Sequence, residues 1–193
     1  MKPITLTTDR LLLRPFRSDD AEAVHTACQD AGIQRWTEIP SPYTRSDAEL
    51  FVGTLAPGGW ESDTAYNFAL VARGTGQLVG ALGVSRRVLP GLSEIGFWLV
   101  REHRGRGYGT EAVLGAARWA FGSLSVDRLE WRAEVGNTAS RALAERAGFR
   151  MEGGQRSALF NKGVRRDTWV AALLPSDLGL PSTAPYVPSP APS

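Results

Sequence analysis

The hydrophobic pattern at the start of the chain predicts a strand followed by a helix. Apolar residues alternate with threonines and then form a leucine triplet, which predicts a strand over residues 4–16 with an interruption near Asp9. Asp19 and Glu22 have the spacing of a capping box, so a helix should begin there and continue to about Cys28.

The next stretch combines chain breakers with a helical period. Gly32 should end the first helix, and the prolines of residues 36–44 predict a rigid loop. Residues 45–55 carry apolar side chains at helical spacing, and the Pro-Gly-Gly run at 57–59 should end this second helix.

Strand patterns dominate the middle of the chain. Residues 65–73, 77–87 and 93–100 predict three successive strands, with a Gly-Thr-Gly hairpin between the first two. A glycine-rich segment follows, and apolar positions at helical spacing then predict a helix that continues to about Phe121. We therefore expect a mixed α/β fold.

Strands also close the predicted domain. Residues 128–135 predict a strand, after which Asn137 should cap a short helix and Gly148 should end it. Residues 149–160 and 166–174 predict the last two strands.

The composition changes after Leu174, because six of the chain's twelve prolines lie beyond that residue. We expect one domain at residues 1–174 and a flexible proline-rich tail at residues 175–193. The alternative is that the tail packs on the domain through its apolar residues, which are Leu178, Leu180, Tyr186 and Val187.

Composition and charge favour a soluble cytoplasmic protein. The 193 residues carry a formal net charge of +2, which is too small a surplus for a nucleic-acid-binding surface. The single cysteine, Cys28, excludes an intrachain disulfide, and two histidines without ligand spacing predict no metal site. The N-terminus lacks a signal-peptide pattern, and no apolar run approaches the roughly 20 residues that span a bilayer, so we expect no membrane partner.

The order of strand, glycine-rich turn and helix suggests a pyrophosphate-binding loop. Glycines let backbone N–H groups approach an anion, the helix N-terminus adds a partial positive charge, and Arg104 and Arg106 add cationic donors. A purely structural turn could show the same pattern. A P-loop would need a lysine that is absent here, and a dinucleotide-binding motif needs G-x-G-x-x-G, whereas Gly105, Gly107 and Gly109 give G-x-G-x-G.

The segment Arg104-x-x-Gly107-x-Gly109 resembles the acetyl-CoA pyrophosphate signature of the GNAT superfamily of N-acyltransferases. Other segments resemble the RimJ/RimL type, the ribosomal-protein N-terminal acetyltransferases, in the expected order over about residues 8–173. These segments are Leu11–Pro15 with Asp19-Asp20, Pro42-Tyr43-Thr44 with Asp47-Ala48, Glu94–Leu99, Asn137-x-x-Ser140, and Glu145 with Ala147-Gly148-Phe149.

The resemblance implies the GNAT fold, with a central, mainly antiparallel, seven-stranded sheet whose strands at 93–100 and 128–135 splay apart. It also implies an enzyme that transfers an acetyl group from acetyl-CoA, a co-substrate, directly to a primary amine. The acceptor would be a protein N-terminus or a small molecule, and the acyl group could also be longer than acetyl. The alternative is a non-catalytic acyl-CoA-binding regulatory or scaffold module, and a homodimer is left open.

The resemblance further assigns residues that would hold the cofactor. Backbone groups near Leu99 and Val100 would pair with the pantetheine arm, and the Val100 N–H would stabilise the oxyanion of the reaction. The complete predicted set is Trp98, Leu99, Val100, Arg104, Gly105, Arg106, Gly107, Tyr108, Gly109, Thr110 and Asn137.

Two residues are predicted to carry the acid–base chemistry. Glu94 is the predicted base and Ser140 the predicted acid, with Glu134 as a second candidate base. The structural alternatives are that Glu94 pairs with an arginine on the sheet surface and that Ser140 only supports the start of a helix. The RimL type has another candidate base where this chain has Leu159, so the ribosomal-protein substrate does not follow from the resemblance.

Overall fold

A single sheet of eight strands runs through residues 1–189, the part of the chain that the computed structural model describes. The strands lie in the order β1-β2-β3-β4-β5-β6-β8-β7, and all neighbours are antiparallel except the parallel pair β5–β6. They are β1 (Leu6–Thr7), β2 (Leu11–Pro15), β3 (Ala65–Ala72), β4 (Leu78–Arg86), β5 (Leu92–Leu99), β6 (Arg128–Glu134), β7 (Arg150–Asn161) and β8 (Val164–Leu173).

The mixed, mainly antiparallel fold is therefore confirmed, but the sheet has one strand more than expected. Residues 4–16 do not form one interrupted strand, because the Thr8 N–H donates to the Leu11 carbonyl at 2.9 Å and reverses the chain. The two halves then pair with each other as β1 and β2.

Six α-helices within residues 1–189 flank the sheet. They are α1 (Ala21–Ala27), α2 (Ala31–Trp36), α3 (Arg45–Leu50), α4 (Ala56–Glu61), α5 (Tyr108–Ser123) and α6 (Thr138–Arg146). Short 3-10 turns lie at Ser18–Asp20, Arg101–His103 and Pro175–Leu178. Among the described residues, no helix combines the length and apolar character needed to cross a membrane.

Two predictions about the first helix are wrong. The capping carboxylate is that of Asp20 rather than the Asp19–Glu22 pair, and it accepts the Arg17 N–H at 2.8 Å. Gly32 does not break a helix but lies inside α2, because the Asp30 side chain accepts the Ile33 N–H at 2.9 Å and starts a new helix.

The Pro-Gly-Gly run at 57–59 does not end a helix either. A π-helical turn at Phe51–Leu55 joins α3 to α4, and Pro57 lies in the first turn of α4. The continued helix buries Trp60, whose indole N–H donates to the Asn67 carbonyl at 3.1 Å.

The two faces of the sheet cover two separate hydrophobic clusters. The first cluster contains Ile95, Trp131 and the buried side of α5, whereas the second lies under α1, α2 and α3. Because side chains alternate along a strand, Glu94 and Glu130 face the side of the second cluster. Neighbouring positions of β5 and β6 thus present carboxylates on one face and core residues on the other.

The strands β5 and β6 separate after a short paired stretch. Their register pairs Leu92–Ile95 with Arg128–Trp131, and no pairing continues beyond these four positions. The splayed pair predicted at 93–100 and 128–135 is thereby confirmed. We call the gap between Gly96–Leu99 and Arg132–Glu134 the wedge.

Residues beyond β8 lie partly against the domain. Leu178 and Leu180 pack against the first cluster, and the carboxylate of Asp127 accepts hydrogen bonds from Ser182, Thr183 and Ala184. Tyr186 and Val187 are exposed, and the prolines at 190 and 192 lie outside the described residues. The 3-10 turn at Pro175–Leu178 shows regular structure where a flexible tail was predicted, whereas the domain boundary at residue 174 stays a prediction.

Substituting Asp20→Asn should lower the free energy of unfolding by about 3 kcal/mol, since it breaks a largely buried bidentate pair with Arg14 at 2.7 Å. Burial raises the pKa of Asp20, but hydrogen bonds from Arg14 and Arg17 outweigh it and the net pKa is lowered. The stabilisation is therefore present above the ordinary carboxyl pKa and is lost as pH falls through the lowered value. Urea unfolding between acid and neutral pH measures both effects. The control is Asp19→Asn, which changes the exposed neighbouring carboxylate. Equal stability of the two variants would show that the Asp20–Arg14 pair does not stabilise the fold.

Candidate functional site

The backbone along the wedge offers unpaired hydrogen-bonding groups. The Val100 N–H donates to the Val79 carbonyl at 3.0 Å, so it is not available to an oxyanion, contrary to expectation. Backbone groups alternate in direction along a strand, and the N–H groups of Phe97 and Leu99 therefore face the wedge. An extended chain inserted here could form hydrogen bonds with the edge of β5 that β6 does not pair with.

The glycine-rich loop lies directly between β5 and α5. Gly105 and Gly107 have φ values of +75° and +81°, a backbone region that residues with a side chain rarely adopt. Gly107 also stands just before α5, whose first N–H groups have no partner within the helix. The loop thus presents backbone donors and a helix N-terminus together, as an anion requires.

The two arginines of the loop have different environments. Arg104 donates from Nε to the Leu99 carbonyl at 3.0 Å and forms an ion pair with Asp30 at 2.9 Å. It therefore fastens the loop to the start of α2. Arg106 is exposed and forms no ion pair within residues 1–189, so its charge is free to meet an anion.

Arg10 supports the loop from outside, and sequence reasoning missed it. Its guanidinium donates to the Arg106 carbonyl at 2.9 Å, lies 4.9 Å from the centre of the Tyr108 ring, and pairs with Glu111 at 2.6 Å. The contact joins residues about a hundred positions apart in the chain, which no local motif could indicate.

Gly109 serves packing rather than anion approach. A Cβ at this position would lie 2.3 Å from Leu143 Cδ1 and 3.0 Å from Leu99 Cδ1. The glycine therefore lets α5 approach α6 and β5 closely, next to the half-buried Thr110. Trp98, also predicted to contact the cofactor, packs against the second cluster.

Glu94 lies at the closed end of the wedge and has the environment of a base. Burial raises the pKa of its carboxyl, and the nearby charges of Arg87 and Arg132 only partly oppose this. Arg87 lies 3.3 Å away, so the surface ion pair considered as an alternative is formed. The side chain is still 29% exposed, which leaves the carboxylate accessible from the open sheet face.

Glu134, the second candidate base, is held differently. Both of its oxygens accept hydrogen bonds from the guanidinium of Arg35, at 2.6 and 2.8 Å. This pairing lowers the pKa of Glu134, and the charge of Arg166 adds to the effect. A carboxylate with a lowered pKa and two occupied oxygens is a weak base, so the geometry favours Glu94.

Ser140 lies on the opposite side of β6. The Trp131 indole N–H donates to Ser140 Oγ at 3.0 Å, which leaves the serine O–H proton free to be donated elsewhere. Asn137 Oδ1 accepts the Ser140 N–H at 3.3 Å, as its predicted capping role requires. Ser140 therefore has a structural contact and retains a donor.

A cavity of about 320 Å³ adjoins the wedge on the face that carries Glu94. Its lining includes Glu134 at the end of β6 and the turn between β7 and β8. The lining residues are Ala31, Gln34, Arg35, Ser41, Glu134, Asn161, Lys162 and Arg166. No group of three or more His, Cys, Asp or Glu residues in positions 1–189 is arranged to hold a metal ion.

Comparison with known proteins gives a consistent result. A family model of the acetyltransferase (GNAT) domain matches residues 10–150. An uncharacterized N-acetyltransferase of Bacillus licheniformis, p20, is 30% identical over 172 residues, which cover 88% of this chain and 96% of that protein.

Solved structures agree with this match. The structure of a GNAT-family acetyltransferase from Bacillus anthracis has a TM-score of 0.79 and is 25% identical, covering 90% of this chain and 99% of that one. Mycobacterium smegmatis RimJ in complex with a CoA-disulfide has a TM-score of 0.82, and the match covers 93% of this chain and 92% of that one. Its identity of 22% supports the fold alone.

The two candidate bases should titrate in opposite directions. In ¹³C NMR of protein labelled at the glutamate carboxyl carbons, the pKa of Glu94 should lie above the ordinary glutamate value and that of Glu134 below it, because burial dominates at one site and an arginine pair at the other. Arg87→Gln should raise the pKa of Glu94 further, and Arg35→Gln should raise that of Glu134 alone. A pKa of Glu134 above that of Glu94 in the unaltered protein would contradict the assignment.

Proposed function

The chain belongs to the acetyltransferase (GNAT) domain family and is an N-acetyltransferase, and we propose that it transfers an acetyl group from acetyl-CoA directly to a primary amine. The observation that carries the proposal is the junction of the open wedge with a glycine loop at the N-terminus of a long helix. RimJ, which shares the fold at 22% identity, was solved in complex with a CoA-disulfide, and we propose that a cofactor of the same class binds here.

The loop and the wedge divide the binding of the cofactor. The free N–H groups at Gly107 and the start of α5 would hold the pyrophosphate, with Arg106 as the cationic partner and Asn137 near the arm. The pantetheine arm would enter the wedge from the loop and pair with the backbone of Leu99. Its thioester end then reaches the closed end of the wedge, where the Phe97 N–H is the oxyanion donor.

Base and acid would act from opposite faces of the sheet. Glu94 faces the open side from which an amine can approach, whereas Ser140 contacts Trp131 in the first cluster. A primary amine is mostly protonated at neutral pH, so a carboxylate with a raised pKa is suited to accept its proton. Since the position of Leu159 supplies no second base, the assignment rests on Glu94.

The proposed reaction proceeds in two steps. Glu94 accepts a proton from the amine, whose nitrogen attacks the thioester carbonyl to form a tetrahedral oxyanion held by the Phe97 N–H. The carbon–sulfur bond then breaks, and Ser140 donates its proton to the departing thiolate. The second proton, which the nitrogen loses as the amide forms, restores the serine hydroxyl through solvent. The products are the acetylated amine and free CoA. We propose that this catalytic unit is the domain at residues 1–174.

Gly107→Val should weaken acetyl-CoA binding by more than tenfold. Its φ of +81° is strained for any side chain, and a Cβ there would lie 3.2 Å from the Arg10 guanidinium and block the approach of a phosphate. Arg106→Ala should weaken binding less and in a salt-dependent way, because it removes only a charge. Calorimetry measures the acetyl-CoA affinity of both variants, and Arg118→Ala, near the far end of α5, is the control. Unchanged affinity in Gly107→Val, with an unchanged melting temperature, would contradict the cofactor site.

Glu94→Gln should lower kcat/KM by about 10²–10⁴-fold, the usual contribution of a general base. In the unaltered enzyme kcat/KM should rise with pH as Glu94 deprotonates, at a pH above the ordinary glutamate range because its pKa is raised. This acidic limb should disappear in the variant, while acetyl-CoA affinity stays the same. Glu130→Gln, across from Glu94 on the same face, is the matched control. Full activity of Glu94→Gln at neutral pH would show that Glu94 is not the general base.

A further inference from the structure

The cavity beside the wedge contains more positive than negative charge. Its lining within residues 1–189 has three cations, Arg35, Lys162 and Arg166, and one carboxylate, Glu134. Resting on the proposed function, we infer that this cavity binds an anionic group, a carboxylate or a phosphate, that the acceptor carries close to its amine. The enzyme would thus select acidic amines.

The pair of Arg35 with Glu134 cancels one positive and one negative charge, which leaves Lys162 and Arg166 as the surplus. The two side chains form a bidentate pair, and the Arg35 guanidinium also lies 4.2 Å from the centre of the Trp36 ring. Both oxygens of Glu134 are therefore occupied, and the side chain is only 9% exposed. This arrangement argues against the opposite interpretation, in which Glu134 attracts the ammonium group of the acceptor.

Arg166 is the cation best placed to bind a ligand. Its Nε lies 3.8 Å from Glu134 Oε1, beyond hydrogen-bonding distance, and its side chain is 42% exposed. Among the described residues the guanidinium donates no hydrogen bond. The planar guanidinium matches carboxylate and phosphate oxygens in a bidentate geometry, so its free donors suit an anion.

Lys162 fixes the rim of the cavity. Its ammonium group, in the turn between β7 and β8, donates to the carbonyls of Gln34 and Thr37 at the end of α2. The neighbouring Asn161 side chain also donates to the Thr37 carbonyl, at 3.2 Å. These contacts hold the turn against α2 and keep a positive charge at the cavity entrance.

The register of the strands places the cavity near the reacting carbonyl. Ile95 and Trp131 form the last pair between the two strands, and Phe97 and Ala133 each lie two residues further along their own strand. Glu134 lies one residue beyond, a step of about 3.3 Å along the strand. An anion bound beside Glu134 therefore belongs to the first or second residue of a peptide acceptor, or to the same small molecule as the amine.

Calorimetry on the CoA-bound protein, in which no acetyl group can transfer, tests the inference. Two series of tripeptide amides are titrated, with glutamate, phosphoserine, glutamine or lysine at the first or the second position. In at least one series the glutamate or phosphoserine peptide should bind about tenfold tighter than the glutamine peptide, because only the anion can form a charged hydrogen bond with Arg166. Which of the two binds tighter identifies the anion as carboxylate or phosphate.

Arg166→Gln should remove this preference. Arg165→Gln is the matched control, because Arg165 points to the other face of β8 and donates to the Ser157 carbonyl at 3.1 Å. No preference for either anion, tighter binding of lysine, or a preference that survives Arg166→Gln would overturn the inference. A preference that depends on Arg166 without thiol release from acetyl-CoA would instead contradict the proposed function and leave the anion site in place.

Discussion

The end of pairing between β5 and β6 is the constraint on which the site depends. Four paired positions hold the strands together, and beyond Ile95 and Trp131 their backbone edges face each other without hydrogen bonds. Backbone N–H and C=O groups without partners are available to hydrogen-bond an extended ligand that lies along such an edge. The wedge is therefore the point around which the glycine loop, the proposed base and the proposed acid lie.

The alternation of side chains between the two faces of β5 and β6 builds the core and also separates the carboxylates from it. Along β5 and β6 one set of positions enters the first cluster, and the other set presents carboxylates on the open face. Glu94 and Glu134 lie on this face, but their surroundings push their pKa values apart, upward by burial and downward by Arg35. Two chemically identical side chains can thus serve as a base and as part of a binding cavity.

Much of the architecture could be predicted because it depends on local chemistry. The three central strands, α5 and the Asn137 cap follow from periodicity and capping residues close in sequence. The continuous helix across the Pro-Gly-Gly run could not be predicted, since burial of Trp60 and a π-helical turn outweigh the local signal.

The candidate site was less accessible to sequence reasoning because it depends on distant contacts. Val100 N–H donates to Val79, and Arg104 pairs with Asp30 rather than facing an open loop. Arg10 and Arg166 gain their significance only when the sheet brings them beside the loop and the cavity. Motif spacing indicated the segment that we propose to carry the chemistry, whereas the direction of each N–H and guanidinium could be read only from the fold.

The most direct test of the account is a crystal structure with a ketone analogue of acetyl-CoA in which a methylene group replaces the sulfur. The account predicts that the pantetheine arm lies between β5 and β6, with the ketone oxygen within about 3.2 Å of the Phe97 nitrogen. The methylene group should lie beside Ser140 Oγ, and Glu94 should face the carbonyl carbon from the opposite side. An arm outside the wedge, or an oxygen bound by Val100 after loss of its bond to Val79, would contradict the account.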